Sequence, residues 1–237
     1  QSRGLGDVYK RQVIMDKNIE SIILKRINRT AENLKKNNMD FYYAPTKEDV
    51  KGIVKNLLKN GDVVTHGGSM TLKQCGITSL LNSGDYKYID RSAVDEDKLE
   101  QVYRASFSAD VYLTSANAIT ESGVLYNVDG NSNRIAAIAY GPKTVIVVAG
   151  YNKIVKDLDE AILRVKRDAA PPNCQRLGNA TYCFNTGECV SIKDKAASEM
   201  CDGCSSDDRI CCNYLVSAFQ RHKGRIKVII VGDTLGY

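Results

Sequence analysis

The chain has no tryptophan, only four phenylalanines and only two histidines in 237 residues. So few aromatics leave it without the stacking platforms that single-stranded nucleic acid needs. Neither His66 nor His222 lies beside a nucleophile motif, which argues against Ser-His-Asp hydrolysis. Long apolar runs are missing too. One of the longest, Val145-Ile-Val-Val-Ala149, has the length of a buried strand and falls far short of the ~18 residues of a membrane helix. Internal repeats and low-complexity linkers are also absent. What remains, 43% hydrophobic and 26% charged residues, is the composition of an ordinary globular protein. The length suits one large domain or one and a half.

Residues 1–14 precede Met15, lack the apolar stretch of a signal peptide and read as a non-native tail, with the domain spanning 15–237. Arg3, Lys10 and Arg11 against Asp7 account for +2 of the formal +5, leaving +3 for residues 15–237. Basic and acidic residues interleave, so this charge supports no nucleic-acid role. The eight cysteines, with no secretion signal, point to a reducing, cytoplasmic setting where thiols serve metals or redox chemistry.

Helical periodicity runs over 16–38, and Thr46-Lys-Glu-Asp49 reads as a capping box opening a helix whose apolar face is Val50, Ile53, Val54, Leu57 and Leu58. Strands are expected at 41–44, 62–65, 86–89, 111–114, 134–139, 144–149 and 226–231, and further helices from 69 to 81, over 95–109 and over 153–168. Strands alternating with helices, two of the strands apolar on both faces, predict an α/β domain with a sheet covered on both sides. Pro171-Pro172 marks the one expected boundary, after which a cysteine-rich insertion (171–212) interrupts the domain before the last strand.

Three constellations could carry chemistry. In His66-Gly67-Gly68-Ser69-Met-Thr71, glycines let the backbone approach an anion at a helix start, with the Ser69 and Thr71 hydroxyls at hand; a simple turn uses the same residues. Ser115-Ala-Asn-Ala-Ile-Thr-Glu-Ser-Gly123 places Asn117 and Glu121 after a strand, where open α/β sheets form ligand sites. Asn133 and Arg134 add polar density nearby, although Asp129-Gly130-Asn131 also suits a hairpin turn. The most specific signal is Cys183-x5-Cys189-x11-Cys201-x2-Cys204-x6-Cys211, with thiolates spaced for Zn²⁺ or an iron–sulfur cluster. The same Cys-x2-Cys also serves redox-active thiols.

Taken in order, Gly67-Gly-Ser-Met-Thr71, Ser115 to Gly123, Asn133-Arg134, Tyr140-Gly-Pro-Lys, Val147-Val-Ala-Gly-Tyr-Asn-Lys-Ile-Val155, Asp159-Glu-Ala-Ile-Leu-Arg164, Ala170-Pro-Pro-Asn-Cys-Gln-Arg-Leu177 and Gly232-Asp-Thr-Leu-Gly236 resemble the LUD-domain family of lactate utilisation, which includes LutC-like proteins. The resemblance implies a three-layer α/β/α sandwich similar to the NagB/RpiA/CoA-transferase superfamily. It also implies a part in oxidising L-lactate to pyruvate alongside iron–sulfur partner subunits. Under it Gly67, Gly68, Ser69, Thr71, Asn117, Asn133, Arg134, Asn152 and Lys153 are the expected ligand-binding residues, and Glu121 is the catalytic carboxylate. Cys183, Cys189, Cys204 and Cys211, with Cys201 as substitute, are the expected ligands of a [4Fe–4S] cluster or, alternatively, zinc. The expected partners are a small anionic metabolite and iron–sulfur subunits or a second copy of the chain, with no nucleic acid and no membrane. An independent enzyme on sugar phosphates or acyl-CoA using Glu121, and a zinc-stapled interaction module, are the alternatives.

Overall fold

The structure, a computed structural model, describes residues 16–193 and 199–237; the expected tail lies outside them. Helix α1 (Lys17–Lys36) starts where the Asp16 carboxylate accepts the Asn18 and Ile19 amides. Strands β1 (Asp40–Ala44), β2 (Val63–His66), β3 (Lys87–Ile89), β4 (Val111–Thr114), β7 (Thr144–Gly150) and β10 (Ile226–Val231) form one all-parallel sheet, in the order β1-β10-β7-β4-β2-β3.

Strand alternation sorts the central residues into two cores. Ile146, Val148, Ile229 and Val231 face helices α2 (Val50–Leu57), α3 (Met70–Gln74) and α4 (Ile77–Leu81) through Val50, Val54, Leu72, Ile77 and Leu81. Val145, Val147, Ala149, Val228 and Ile230 face the other way, onto Ile27 and Leu34 of α1 and Ala137 and Ile138 of α6 (Asn133–Tyr140). Both faces of β7 and β10 are thereby buried, the three-layer arrangement that their unbroken apolar runs imply.

That second face is shared with a small sheet, β8-β5-β6-β9, built from β5 (Ala118–Thr120), β6 (Leu125–Asp129), β8 (Ile154–Val155) and β9 (Asn213–Ser217). It contributes Ile119, Leu125 and Ile154 to the same core. Among the described residues no helix is long and apolar enough to cross a membrane.

Three expectations are corrected. Residues 134–139 are helical: the Asp129 carboxylate accepts the Arg134 and Ile135 amides and starts α6, whose Ala137 and Ile138 pack on the main sheet. Asp129-Gly130-Asn131 therefore joins a strand to a helix, and the hairpin in this region is β5–β6, closed around 121–124. The chain also stays helical through Pro171-Pro172. Helix α7 (Leu158–Arg164) widens into a π turn over Val165–Ala169 and continues as α8 (Ala170–Leu177). Two prolines without N–H groups cannot bond back to the preceding turn, and the wider turn accommodates them. Helix α8 buries Pro171 and Cys174, so the first residues of the expected insertion belong to the packed domain.

Candidate functional site

Parallel strands place their carboxyl ends on one edge of the sheet, where open α/β folds bind ligands. Here β2 ends before Gly67–Thr71, β4 before Ser115–Asn117, β7 before Tyr151–Lys153 and β10 before Gly232–Gly236. These segments form one wall of a cavity of about 570 Å³. The opposite wall comes from the start of α6, from Asn173 and Arg176 of α8, and from the cysteine-rich loop at 207–211.

Lys153 is the most constrained group in the cavity. It is 4% exposed, and its ammonium nitrogen donates to the hydroxyls of Thr71 and Ser115, each at 3.1 Å. Among the described residues no carboxylate pairs with it. Burial, reinforced by Arg164 and Arg134 and opposed by Cys75, brings the amine from 10.5 down to about 7.

Arg134 also lines the cavity without a carboxylate partner. Its guanidinium donates to the Ser115 and Val128 carbonyls and to the Asn127 and Asn117 side-chain oxygens, at 2.5–3.2 Å. Four neutral acceptors orient the cation, while the nearby Asp129 carboxylate accepts its backbone amide. The Asn127 side-chain nitrogen, fully buried beside it, has no hydrogen-bond partner among the described residues.

In the glycine loop, Ser69 accepts the Leu72 amide and starts α3. A Cβ at Gly67 would stand 2.7 Å from the Tyr112 hydroxyl and 3.2 Å from Arg134, so glycine is required for close approach. His66 is fixed between the Gly67 carbonyl and the Tyr88 hydroxyl, and burial lowers its pKa.

Of the expected ligand-binding residues, Gly68, Ser69, Thr71, Asn117, Asn133, Arg134 and Lys153 line the cavity. Gly67 stands just behind it, against Arg134. Asn152 clasps the Leu235 backbone through both of its side-chain polar atoms and holds the C-terminal segment against the site. Glu121 lies elsewhere, on the β5–β6 turn, bound to Arg26 at 2.7 Å and Arg29 at 3.1 Å on α1. Burial acts to raise its pKa, but hydrogen bonds from Arg29 and Arg26 outweigh this and hold the carboxyl below its usual range.

The expected metal-ligand cysteines are placed unevenly. Cys183, at the start of α9 (Tyr182–Thr186), is buried with its sulfur 3.6 Å from that of Cys174, while Cys201 is exposed. Burial pushes the Cys211 thiol up to about 12, with Cys189, Cys174 and Cys183 close enough to add to the effect. Cys174 is likewise pushed up to about 11, chiefly by burial, with Cys183 and Cys204 adding to it. Among the described residues no three Cys, His, Asp or Glu side chains converge at metal-binding separation. The loop carrying Cys201, Cys204 and Cys211 is gathered instead by Arg209, which donates to all three carbonyls and to the Tyr214 hydroxyl at 2.8–3.1 Å.

Cys174 and Arg176 were not legible as site residues. Cys174 stands nine positions before Cys183 in the same cysteine cluster, and that clustering was the available signal.

A family profile described as the LUD domain matches residues 27–231. No curated protein matches the chain. Among solved structures, a DUF162 family protein from Deinococcus radiodurans is similar over 90% of this chain and 98% of its own, at 16% identity and a TM-score of 0.48. The eIF2B delta protein of Chaetomium thermophilum covers 59% of this chain and 53% of its own, at 15% identity and a TM-score of 0.34. The 5-methylthioribose 1-phosphate isomerase of Pyrococcus horikoshii covers 46% and 40%, at 14% identity and a TM-score of 0.28.

Proposed function

We propose that this chain, which belongs to the LUD-domain family and so is associated with lactate utilisation, binds a small anionic metabolite of that process in the strand-end cavity. The observation that supports this is the convergence of Arg134 and Lys153 on one cavity, where among the described residues neither side chain is ion-paired to a carboxylate, although Asp129, Asp207 and Asp208 also line it. An anion entering there meets the Arg134 guanidinium in a partly desolvated setting, where Coulomb attraction exceeds its value in water. The volume suits a monocarboxylate or a sugar phosphate together with ordered water.

Titration with L-lactate, pyruvate, sugar phosphates and acyl-CoA, followed by thermal shift, tests the reading. A true ligand at a hundredfold excess over its Kd stabilises by about 2.7 kcal/mol. Arg134→Gln is expected to weaken that ligand. The reading fails if none of these compounds stabilises the protein, or if Arg134→Gln binds as tightly as the parent.

The thiols support a second element, a Cys-ligated metal centre. The 3.6 Å sulfur separation of Cys174 and Cys183 is near the ~3.8 Å ligand-to-ligand edge of a tetrahedral site with metal–sulfur bonds of about 2.3 Å. An all-thiol donor set suits zinc or a [4Fe–4S] cluster. Cys204, Cys211 and Cys189 are the thiols that act on this pair or on each other and are the candidates to complete it. A metal bound there would crosslink α8 and α9 to the cavity-lining loop. The experiment is metal analysis and visible absorbance of anaerobically purified protein, then limited proteolysis with and without chelator under reducing conditions. A metal-free segment that resists protease equally in both conditions rejects the metal centre.

A further inference from the structure

Anion binding leaves one property of the cavity unused. Charge for holding an anion is already supplied by guanidinium groups, from Arg134, Arg91 and Arg176. Lys153 adds something an arginine cannot: an amine able to lose its proton.

The surroundings of Lys153 favour that loss. It sits in the turn after β7, where among the described residues it reaches only neutral hydroxyls, and those belong to side chains that are themselves buried, Thr71 at 1% and Ser115 at 7% exposure. Arg164 and Arg134 face it with like charge, and among the described residues Cys75 acts the other way. The chain also keeps the space beside the amine clear. Gly236, at φ +58°, runs past so closely that a Cβ would meet the Thr71 hydroxyl at 2.6 Å and the Lys153 nitrogen at 3.3 Å.

We propose that Lys153 is a nucleophile toward carbonyl compounds, condensing through its side-chain nitrogen with the ketone or aldehyde carbon of a small anionic oxo compound held in the cavity. This rests on the anion-pocket reading above. In the step, the nitrogen lone pair of the neutral amine forms a bond to the carbonyl carbon, and the carbonyl oxygen takes up a proton to give a carbinolamine. That oxygen then leaves as water, carrying the second amine hydrogen, and a carbon–nitrogen double bond remains. Nothing is oxidised or reduced and no co-reactant is needed. Hydrolysis runs the same step backwards. Arg134 holds the carboxylate or phosphate of the compound, while the Thr71 and Ser115 hydroxyls orient the amine and pass the departing proton.

The test uses the full chain with pyruvate or glyoxylate, quenched with borohydride at fixed times, then intact mass and peptide mapping. The expected result is a single reduced adduct per chain on Lys153, dependent on the oxo acid and lost in Lys153→Arg and Lys153→Met. Its initial rate should climb between pH 6 and about 7 and then level off, following the free-amine fraction. An ordinary exposed lysine instead gains about tenfold per pH unit throughout this range. Adducts spread over exposed lysines, or a rate that keeps rising like theirs, overturn the proposal. If the oxo acids raise the melting temperature but leave Lys153 unmodified, the anion pocket stands and the nucleophile does not. If they neither stabilise nor label the protein, both fall for oxo acids.

Discussion

The two walls of the cavity are built on different physics. The strand-end wall hangs from β2, β4, β7 and β10, most of whose residues are buried, so Thr71, Ser115 and Lys153 are held by a packed core directly beneath them. The cysteine-bearing wall has little apolar packing of its own. Met200 and Cys211 touch the small-sheet core, and the rest is drawn together by polar hubs, Arg209 on three loop carbonyls and Lys166 on the carbonyls of Glu199 and Asp202. A rigid sheet edge can hold an unfavourable group such as a desolvated lysine because the surrounding core over-determines its position. A wall held by hydrogen bonds to carbonyls can open locally at small cost while the sheet stays intact.

The largest expected effect is on the rigid wall. The native state holds Lys153 near 7 against 10.5 when unfolded, so above about pH 7 the unfolded chain keeps a proton that the folded protein has released. Stability from this group therefore rises with pH, by up to ~1.4 kcal/mol per pH unit. Burial of Cys174 and Cys211 raises their thiols above 9 and works the opposite way at higher pH, so the informative window is about pH 7 to 9. In Lys153→Met the rise should vanish. Denaturant melts of both proteins across that window check it, and parallel curves would show that Lys153 stays charged when folded.

Arg209→Ala probes the softer wall. Removing four hydrogen bonds is expected to cost about 1–3 kcal/mol, felt locally. Amide exchange should accelerate in 199–212 while β7 and β10 remain protected. Unchanged exchange in the loop would mean that the thiols, or a metal on them, hold this wall instead.

The smallest effect is expected at Glu121→Gln. Its ion pairs are partly exposed, so stability should change by no more than about 1 kcal/mol and ligand thermal shifts should be the same as for the parent. Loss of ligand binding in this variant would tie the β5–β6 turn to the cavity and refute its assignment as a docking contact for α1.

The sequence by itself determined the α/β class and its layering. The apolar runs at 145–149 and 228–231 require burial on both faces, and that alone forces helices onto both sides of the sheet. It also exposed the glycine loop at 67–71, because residues following parallel strands collect at one edge whatever the details, whereas Lys153 comes only with the family resemblance. Tertiary structure decided the rest. Residues 134–139 carry Ile and Ala compatible with a strand or a helix, and the Asp129 cap together with burial of Ala137 and Ile138 in the core selected the helix. Glu121 follows a strand as a catalytic carboxylate could, but β5 belongs to the small sheet, which turns its end toward α1 and away from the cavity. Cys174 reads as outside the ligand spacing, yet one helical turn past the prolines brings it against Cys183. In each case the local residue types allow two outcomes, and contacts between segments distant in the chain carry the free energy that separates them.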